Sequence, residues 1–491
     1  MDQIEQRKPK SIILPNDGLR RLSPYYPSFD LYSNPLYKQL SEEALSAPTL
    51  LAWLKADAGV KTGYAAHFNG ASDCYLDHDS NSDLQVNDTS FTIAAWVRLN
   101  NTGSLGIFVS KEDQGDVTGR EFDLFYNSNN IQWSIWTNDT ADRWDVLANA
   151  GTIHADSWYF VLAWYDLDGN TINIQINNGI TATTSTSGPI TATDTHFTMG
   201  LTDSFNLAGS IDSVGFWKRI LTSQERSSLY NNGNGVNYID LGSLIKTGLV
   251  SWWDMDTEAE DGSLIDSQGT NDLANHGGVA MVPGKVLRTA GDADLATTWL
   301  DQSVNGNHAY PDDSDSSPTY EVNVIGGKPA LNFSLSNYMS TQAFTRSQPQ
   351  TVVAVGRGPS DGNNHTIVDG SNTNTGRIYY NIPAHPYLSA DANPITGDSI
   401  DNQTAALGDW FIAVAVFNGA DSALWVNGVK AEGDAGTAAS DGLSIGGQAS
   451  ESSDRWGGYI AEVLIYDKDL TDGEVTALTN TLNAKYGIYG G

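Results

Sequence analysis

Cysteine occurs once in 491 residues, at Cys74, so no disulfide can form within the chain and its cores must hold without a covalent staple. In a strand-like run that lone thiol reads as a small buried hydrophobe. Basic residues are scarce, 26 Lys and Arg against 59 Asp and Glu, which leaves a formal net charge of −33. Such acidity repels phosphate backbones and anionic bilayers, so neither nucleic acid nor a membrane is an expected partner. Long apolar runs are missing as well: the longest, Trp410 to Phe417, is far short of the roughly 20 residues that a membrane span requires. Near the start only Ile12-Ile13-Leu14 precedes Pro15, too short for the apolar region of a secretory leader, so export by an N-terminal signal is not expected. The eight histidines have no metal-ligand spacing, and no strand-to-helix GxSxG elbow or phosphate loop is present. No long amphipathic helical stretch competes with the strand signal.

What the chain does hold is 48 glycines, 21 tyrosines and 14 tryptophans, with short apolar runs broken by Asn, Asp, Gly and Ser. That composition suits β-sandwiches rather than helical bundles. One motif occurs twice: GSIDSVGFWKRILTSQE from Gly209 and GYIAEVLIYDKDLTDGE from Gly458. Each reads as a strand followed by a capped helix, with helices expected around Ser223 to Asn231 and Asp472 to Lys485. Upstream, Trp158 to Tyr165 is answered by Trp410 to Phe417, each followed by a short strand ending in Asn-Gly, at Asn178-Gly179 and Asn427-Gly428. Phe91 to Val97 is answered by Gln350 to Gly356. The chain therefore carries one domain twice.

The run HFNGASDCYLDHDSNSDLQVNDTSFTIAAWVRL from His67, closing in the Gly209 motif, resembles the laminin-G-like or pentraxin-like branch of the concanavalin-A-like lectin fold. KPALNFSLSNYMST from Lys328, with the Trp410 and Gly458 elements, resembles a more divergent second member. The resemblance covers most of residues 51 to 491 and implies an all-β chain of two antiparallel jelly-roll sandwiches. It says little of function, because this fold hosts glycan binding, protein adhesion and hydrolysis alike.

The order of the pieces is unusual for that family, whose sequences usually open with a GLVSWW-like strand, an aspartate and a DSxGTND stretch. Here GLVSWWDMD begins at Gly248 and DSQGTNDLANHGG at Asp266, after the first domain's closing motif rather than before it. LAWLKADAGV from Leu51 looks like the opening strand of the second domain, which otherwise starts abruptly at TWLDQSVNGNHA from Thr298. The expectation is that residues 61–286 form a circularly permuted sandwich inserted into a host made of residues 51–60 and 287–491, insertion at surface turns being physically permissible. Two sandwiches in series, bridged by Gly248 to Val286, is the alternative.

Residues 1–50 differ in kind. They hold six prolines and the aromatic anchors Tyr25, Tyr26, Tyr32 and Tyr37, and residues 1–40 carry six Lys or Arg against four Asp or Glu, opposite in sign to the whole chain. Disordered segments are usually poor in aromatics, so the reading is an extended arm that docks on a neighbouring subunit or assembly surface.

For catalysis, hydrolases on this fold need two carboxylates on one strand face, commonly as Glu-x-Asp-x-Glu. The nearest match, Glu121-Phe122-Asp123-Leu124-Phe125, has phenylalanine in the third place, so no enzyme is expected. The resemblance implies calcium at one rim, with Asp73 and Asp212 as candidate ligands; the second domain has Ala461 in place of Asp212 and Ser336 or Asn337 near the place of Asp73. There, Asp301, Asn305 and Asn307 form a polar loop for an ion or a tight turn. Trp133, Trp136 and Trp144 alternate with polar residues and are the candidates for stacking on sugar rings.

Two function classes follow. One is a structural surface protein of a virus particle, of the kind that tailed phages carry as capsid decoration, head fibre or tail fibre. Its arm would bind capsid or tail proteins, and its sandwiches would contact host glycans, in a closed homo-oligomer. The other is a bacterial carbohydrate-binding adhesin, or an accessory module of a polysaccharide-degrading system, at the cell surface or outside the cell.

Overall fold

The computed structural model describes residues 50–490 except 88, 113–118, 138–141, 150, 203–204, 260, 312–315, 360, 362, 372–374, 382–386, 393–398 and 449–453. The arm with Tyr25, Tyr26, Tyr32 and Tyr37 lies outside the described residues. Among those described, no helix is long and apolar enough to cross a membrane.

The all-β expectation holds, in antiparallel sheets that enclose two separate cores. One core draws on residues from Ala66 to Val279, among them Phe91, Phe122, Trp133, Phe216 and Trp253. The lone Cys74 is buried in it. The other begins with Ala52, Leu54, Ala56 and Val60, then resumes at Ala290 and runs to Ile465. The chain thus contributes to the second core before and after it builds the first. A seven-stranded sheet closes the first core, in the order Ala274–His276, Tyr75–His78, Phe197–Met199, Gly106–Glu112, Arg120–Asn127, Asn130–Thr137, Asp142–Leu147. An eight-stranded sheet around Gly458–Tyr466 closes the second. The opposing layer of both sandwiches is one continuous sixteen-stranded sheet, joined where Val60 and Lys61 pair with Trp299 and Thr298.

The repeated motif becomes the strand at the centre of each sandwich, Ala208–Trp217 and Gly458–Tyr466. Each pairs on one side with its expected partner, Phe216 opposite Ile93 and Ile465 opposite Val352. On the other side lies a tryptophan-bearing strand in the same register in both copies. Val214 and Gly215 face Trp253 and Trp252 of Leu249–Trp253; Val463 and Leu464 face Leu54 and Trp53 of Leu50–Lys55. The helices that follow, Ser223–Tyr230 and Asp472–Tyr486, both start with a capping box, Thr222 with Glu225 and Thr471 with Glu474, which satisfies amides that a helix leaves open. One turn equivalence shifts. Asn177, not Asn178, matches Asn427, since Asn177 Oδ1 accepts from Phe160 N as Asn427 Oδ1 accepts from Ile412 N.

A carboxylate locks each tryptophan strand in place. Asp266 Oδ1 accepts the amides of Trp252 at 2.9 Å and Gln268 at 3.0 Å, while Oδ2 accepts that of Asn271 at 3.2 Å. Asp301 repeats the arrangement across a far longer sequence gap. Its Oδ1 accepts the amides of Trp53 and Ser303, both at 2.8 Å, and its Oδ2 accepts that of Asn307 at 2.8 Å. Asn305 and Asn307 add side-chain donors to the Leu50 and Leu51 carbonyls. Of the two readings for this loop, an ion or a turn, the turn accounts for its contacts. Glu462 completes the attachment, accepting from Trp53 Nε1, Lys485 Nζ and Tyr486 OH.

Removing either aspartate leaves buried amides without acceptors, each such loss costing about 1–3 kcal/mol. Asp301→Ala and Asp266→Ala are each expected to lower unfolding free energy by about 3 kcal/mol, and Asp301→Asn by less, in equilibrium urea titrations. A midpoint unchanged in both alanine variants would remove the carboxylates from this role.

Candidate functional site

The seven-stranded sheet has two faces, and strand alternation sorts its side chains. On Arg120–Asn127 and Asn130–Thr137, the residues Phe122, Leu124, Tyr126, Ile131, Trp133 and Ile135 enter the core. Their neighbours face the other way, and directly paired residues share a face. Register therefore builds one polar row across six strands, Asp77, Thr198, Ser110, Asp123, Ser134 and Asp145, each opposite the next.

The row is internally wired. Ser134 Oγ donates to Asp145 Oδ1 at 2.5 Å, and Arg143 Nε donates to the same oxygen at 2.8 Å. Arg143 also lies 5.2 Å from the ring centre of Trp136 and 5.9 Å from that of Phe125, cation–π distances. At the far end Asp77 sits between two imidazoles, His196 Nδ1 and His276 Nε2, each at 2.8 Å, with Tyr75 stacked on His276. In the middle, burial and then the neighbouring Glu112 push the Asp123 carboxyl well above the usual carboxylate range, with Ser110 and Arg143 acting the other way. Glu112 Oε2 and Asp123 Oδ1 are both enclosed without a hydrogen-bond donor among the described residues.

The second sandwich keeps part of this pattern. Tyr379, Ser389 and Asp401 are paired in the same way, and Ser389 Oγ donates to Asp401 Oδ1 at 2.6 Å. Arg377 lies 3.6 Å from the Tyr379 ring centre and bonds Asp391 at 2.6 Å. Burial pushes the Tyr379 phenol up to about 12.

The candidate tryptophans separate. Trp133 is fully buried against Phe91 and Phe122 and so is a core side chain. Trp144 packs on the same core and donates Nε1 to Thr137 Oγ1 at 2.9 Å. Trp136 alone lies on the polar face, beneath Arg143. The parity of positions 133 and 136 along one strand was the available sign that they point apart. The sequence reading missed Ser110, Ser134, Asp145 and Arg143, whose alignment exists only across strands. Glu121 leaves the row: its carboxylate is fully buried, taking Lys111 Nζ at 2.6 Å and Thr193 N at 2.7 Å. Those contacts tie the strand Arg120–Asn127 to Gly106–Glu112 and to the Thr193 loop.

Asp73 and Asp212 do not fit a calcium ion. Asp73 is exposed, whereas Asp212 is buried and accepts Lys285 N at 2.6 Å, Val286 N at 2.9 Å and Ser213 Oγ at 2.9 Å. Burial holds the Asp212 carboxyl well above its ordinary range, against the pull of the Val286 and Lys285 amides and the Ser213 hydroxyl. It fixes the irregular stretch between Pro283 and Arg288 in the strand Ala280–Thr289. Among the described residues, no group of three or more His, Cys, Asp or Glu is arranged to hold a metal.

The sequence model of the concanavalin A-like lectin/glucanases superfamily matches residues 69–225 and 305–476, more than half of the chain. A search of curated proteins finds no match. Among solved structures, a proposed carbohydrate binding protein from Bacteroides ovatus is 15% identical over 47% of this chain and 62% of its own, with a TM-score of 0.32. Domains LG4-5 of the mouse laminin alpha1 chain are 12% identical over 86% of this chain and 93% of their own, with a TM-score of 0.27. The heptameric SAP-like pentraxin of Limulus polyphemus is 11% identical over 50% of this chain and 96% of its own, with a TM-score of 0.28.

The Asp123 environment has a pH consequence. Its carboxyl binds a proton more tightly folded than unfolded, so its contribution to stability is full below about pH 4 and declines as pH rises through the folded value. Asp123→Asn is expected to melt higher than the parent at pH 7 and to converge with it near pH 3. Calorimetric scans from pH 3 to 8 that superimpose at every pH would contradict this.

Proposed function

Because the chain belongs to the concanavalin A-like lectin/glucanases superfamily, we propose that it is a non-enzymatic, carbohydrate-binding structural protein on the surface of a virus particle. The observation that carries the binding part is the open end of the polar row: Asp145 and Arg143, exposed and held in register above the buried Ser134 and Trp136 on a face turned away from the core. Sugar hydroxyls both donate and accept, so fixed acceptors beside fixed donors recognise them without chemistry on the glycosidic bond. The engagement of Glu121 with Lys111 supports a binder over a hydrolase. The particle part rests on the arm, basic and aromatic against a chain of −33. It docks on capsid or tail protein, as decoration, head fibre or tail fibre, in a homo-oligomer.

The same proposal assigns residues 51–60 and 287–491 to a host sandwich and 61–286 to an inserted, permuted one. Supporting it are the partition of the two cores and the matched registers of the Trp53 and Trp252 strands.

Mass spectrometry of purified virions is expected to find the chain at a fixed copy number, and a glycan array of the intact protein to show binding that Asp145→Ala weakens about tenfold, the ~1.4 kcal/mol of one charge-assisted hydrogen bond. Glycan binding by a chain missing from virions would favour the bacterial adhesin. For the nesting, residues 61–286 expressed alone are expected to unfold cooperatively; an unfolded fragment would count against the assignment.

A further inference from the structure

The second sandwich holds a cleft of about 650 Å³ that the polar row does not include. It is lined by Trp410, Asp409, Asn427, Thr404, Gly326 and Tyr486, at the start of the strand Trp410–Phe417 and the end of the C-terminal helix. That size lies within the range of small-molecule sites.

Three features of the lining converge. Trp410 is half-buried and is held by Arg357, 5.6 Å from its ring centre, which also covers Tyr459 at 4.6 Å. Beside it, Asp409 is exposed, and its carboxylate accepts no hydrogen bond from any described residue. Asn427 has its Oδ1 committed to Ile412 N at 2.9 Å, while its Nδ2 donates to no described residue. An aromatic plate, an anionic acceptor and an amide donor on one cleft match a pyranose, which offers an apolar C–H face and hydroxyls along its edge.

The duplication supplies an internal comparison. Arg98 lies 5.5 Å from the Trp158 ring centre, and Asn177 Oδ1 accepts Phe160 N at 2.8 Å, so the first sandwich repeats the Arg, Trp and Asn arrangement. It has Ser157 where the second has Asp409, and the Ser157 hydroxyl donates to the Ala155 carbonyl at 3.4 Å. Only the second copy adds an open carboxylate to the plate.

We infer that this cleft is a second sugar seat, in which Trp410 stacks on a pyranose ring, Asp409 accepts from its hydroxyls and Asn427 donates to them. The inference rests on the carbohydrate-binding reading and adds a site to it on a different sheet. Two seats on one rigid unit would let a branched or repeating glycan engage both, raising avidity without new contacts.

The test uses the full chain, with the polar row disabled by Asp145→Ala, and the methyl pyranosides of glucose, galactose, mannose and N-acetylglucosamine as probes. Saturation-transfer NMR and tryptophan fluorescence titration are read together. At least one pyranoside is expected to bind the Asp145→Ala protein, to lose at least tenfold in affinity on adding Trp410→Ala or Asp409→Asn, and to be unaffected by Trp158→Ala. Asp409→Asn changes an exposed side chain, so it keeps the test valid if the tryptophan variant misfolds. Binding by the parent that Asp145→Ala alone abolishes would overturn the second seat and leave the carbohydrate reading standing. Absence of binding to every pyranoside by the parent would overturn both.

Discussion

Each sandwich depends on one carboxylate that ties a loop to the tryptophan strand beside its central strand. Asp266 does this within a short stretch of chain, and Asp301 does it for a strand some 250 residues earlier. A buried strand amide and a partly buried loop amide bonded to a single oxygen fix both the position and the register of the strand, and register decides which side chains enter the core. Trp53 and Trp252 then fall at equivalent places against Leu464 and Gly215. With no disulfide available, these charge-assisted bonds do the stapling that small extracellular domains usually leave to cysteines.

The same control of register makes the polar face. No two of Asp77, Thr198, Ser110, Asp123, Ser134 and Asp145 are near neighbours in sequence, yet pairing sets them in a line. A slip of one residue in any strand would send its member of the row into the core. The face is thus a product of the sheet and has no motif of its own. Its acidity belongs to a chain with a large excess of carboxylates, but here Asp77 is held by two histidines and Asp145 by a serine and an arginine.

Much of the fold was legible because strands and capped helices leave local traces. The Gly209 and Gly458 motifs, the Trp158 and Trp410 runs and the two capping boxes are contiguous, and their spacing survived duplication. What the sequence hid was lateral. Trp133, Trp136 and Trp144 look like one set along the chain, but parity sends Trp133 inward, and pairing with Ile135 sends Trp144 after it. Asp212 has the identity of an ion ligand; only the approach of the Lys285 and Val286 amides, more than 70 residues away, shows what it holds. The cleft beside Trp410 was equally hidden, since Asp409 and Asn427 meet it through a hairpin and Tyr486 through the terminal helix.

The placement of the Leu50–Lys55 strand also sets a timetable for synthesis. Its partner strand Gly458–Tyr466 leaves the ribosome about 400 residues later, and the Trp53 to Glu462 bond spans 409 positions. Everything needed for the core between Ala66 and Val279 emerges in the interval. That core can therefore close while the earlier strand still waits, unpaired and apolar, for Gly458–Tyr466, and long-range pairing of this kind carries a high loop-closure cost. A nascent chain of this design carries a sticky edge through most of its translation. Polar neighbours such as Lys55 and Asp57 beside that strand are the kind of residue that keeps such an edge from pairing early with the wrong partner.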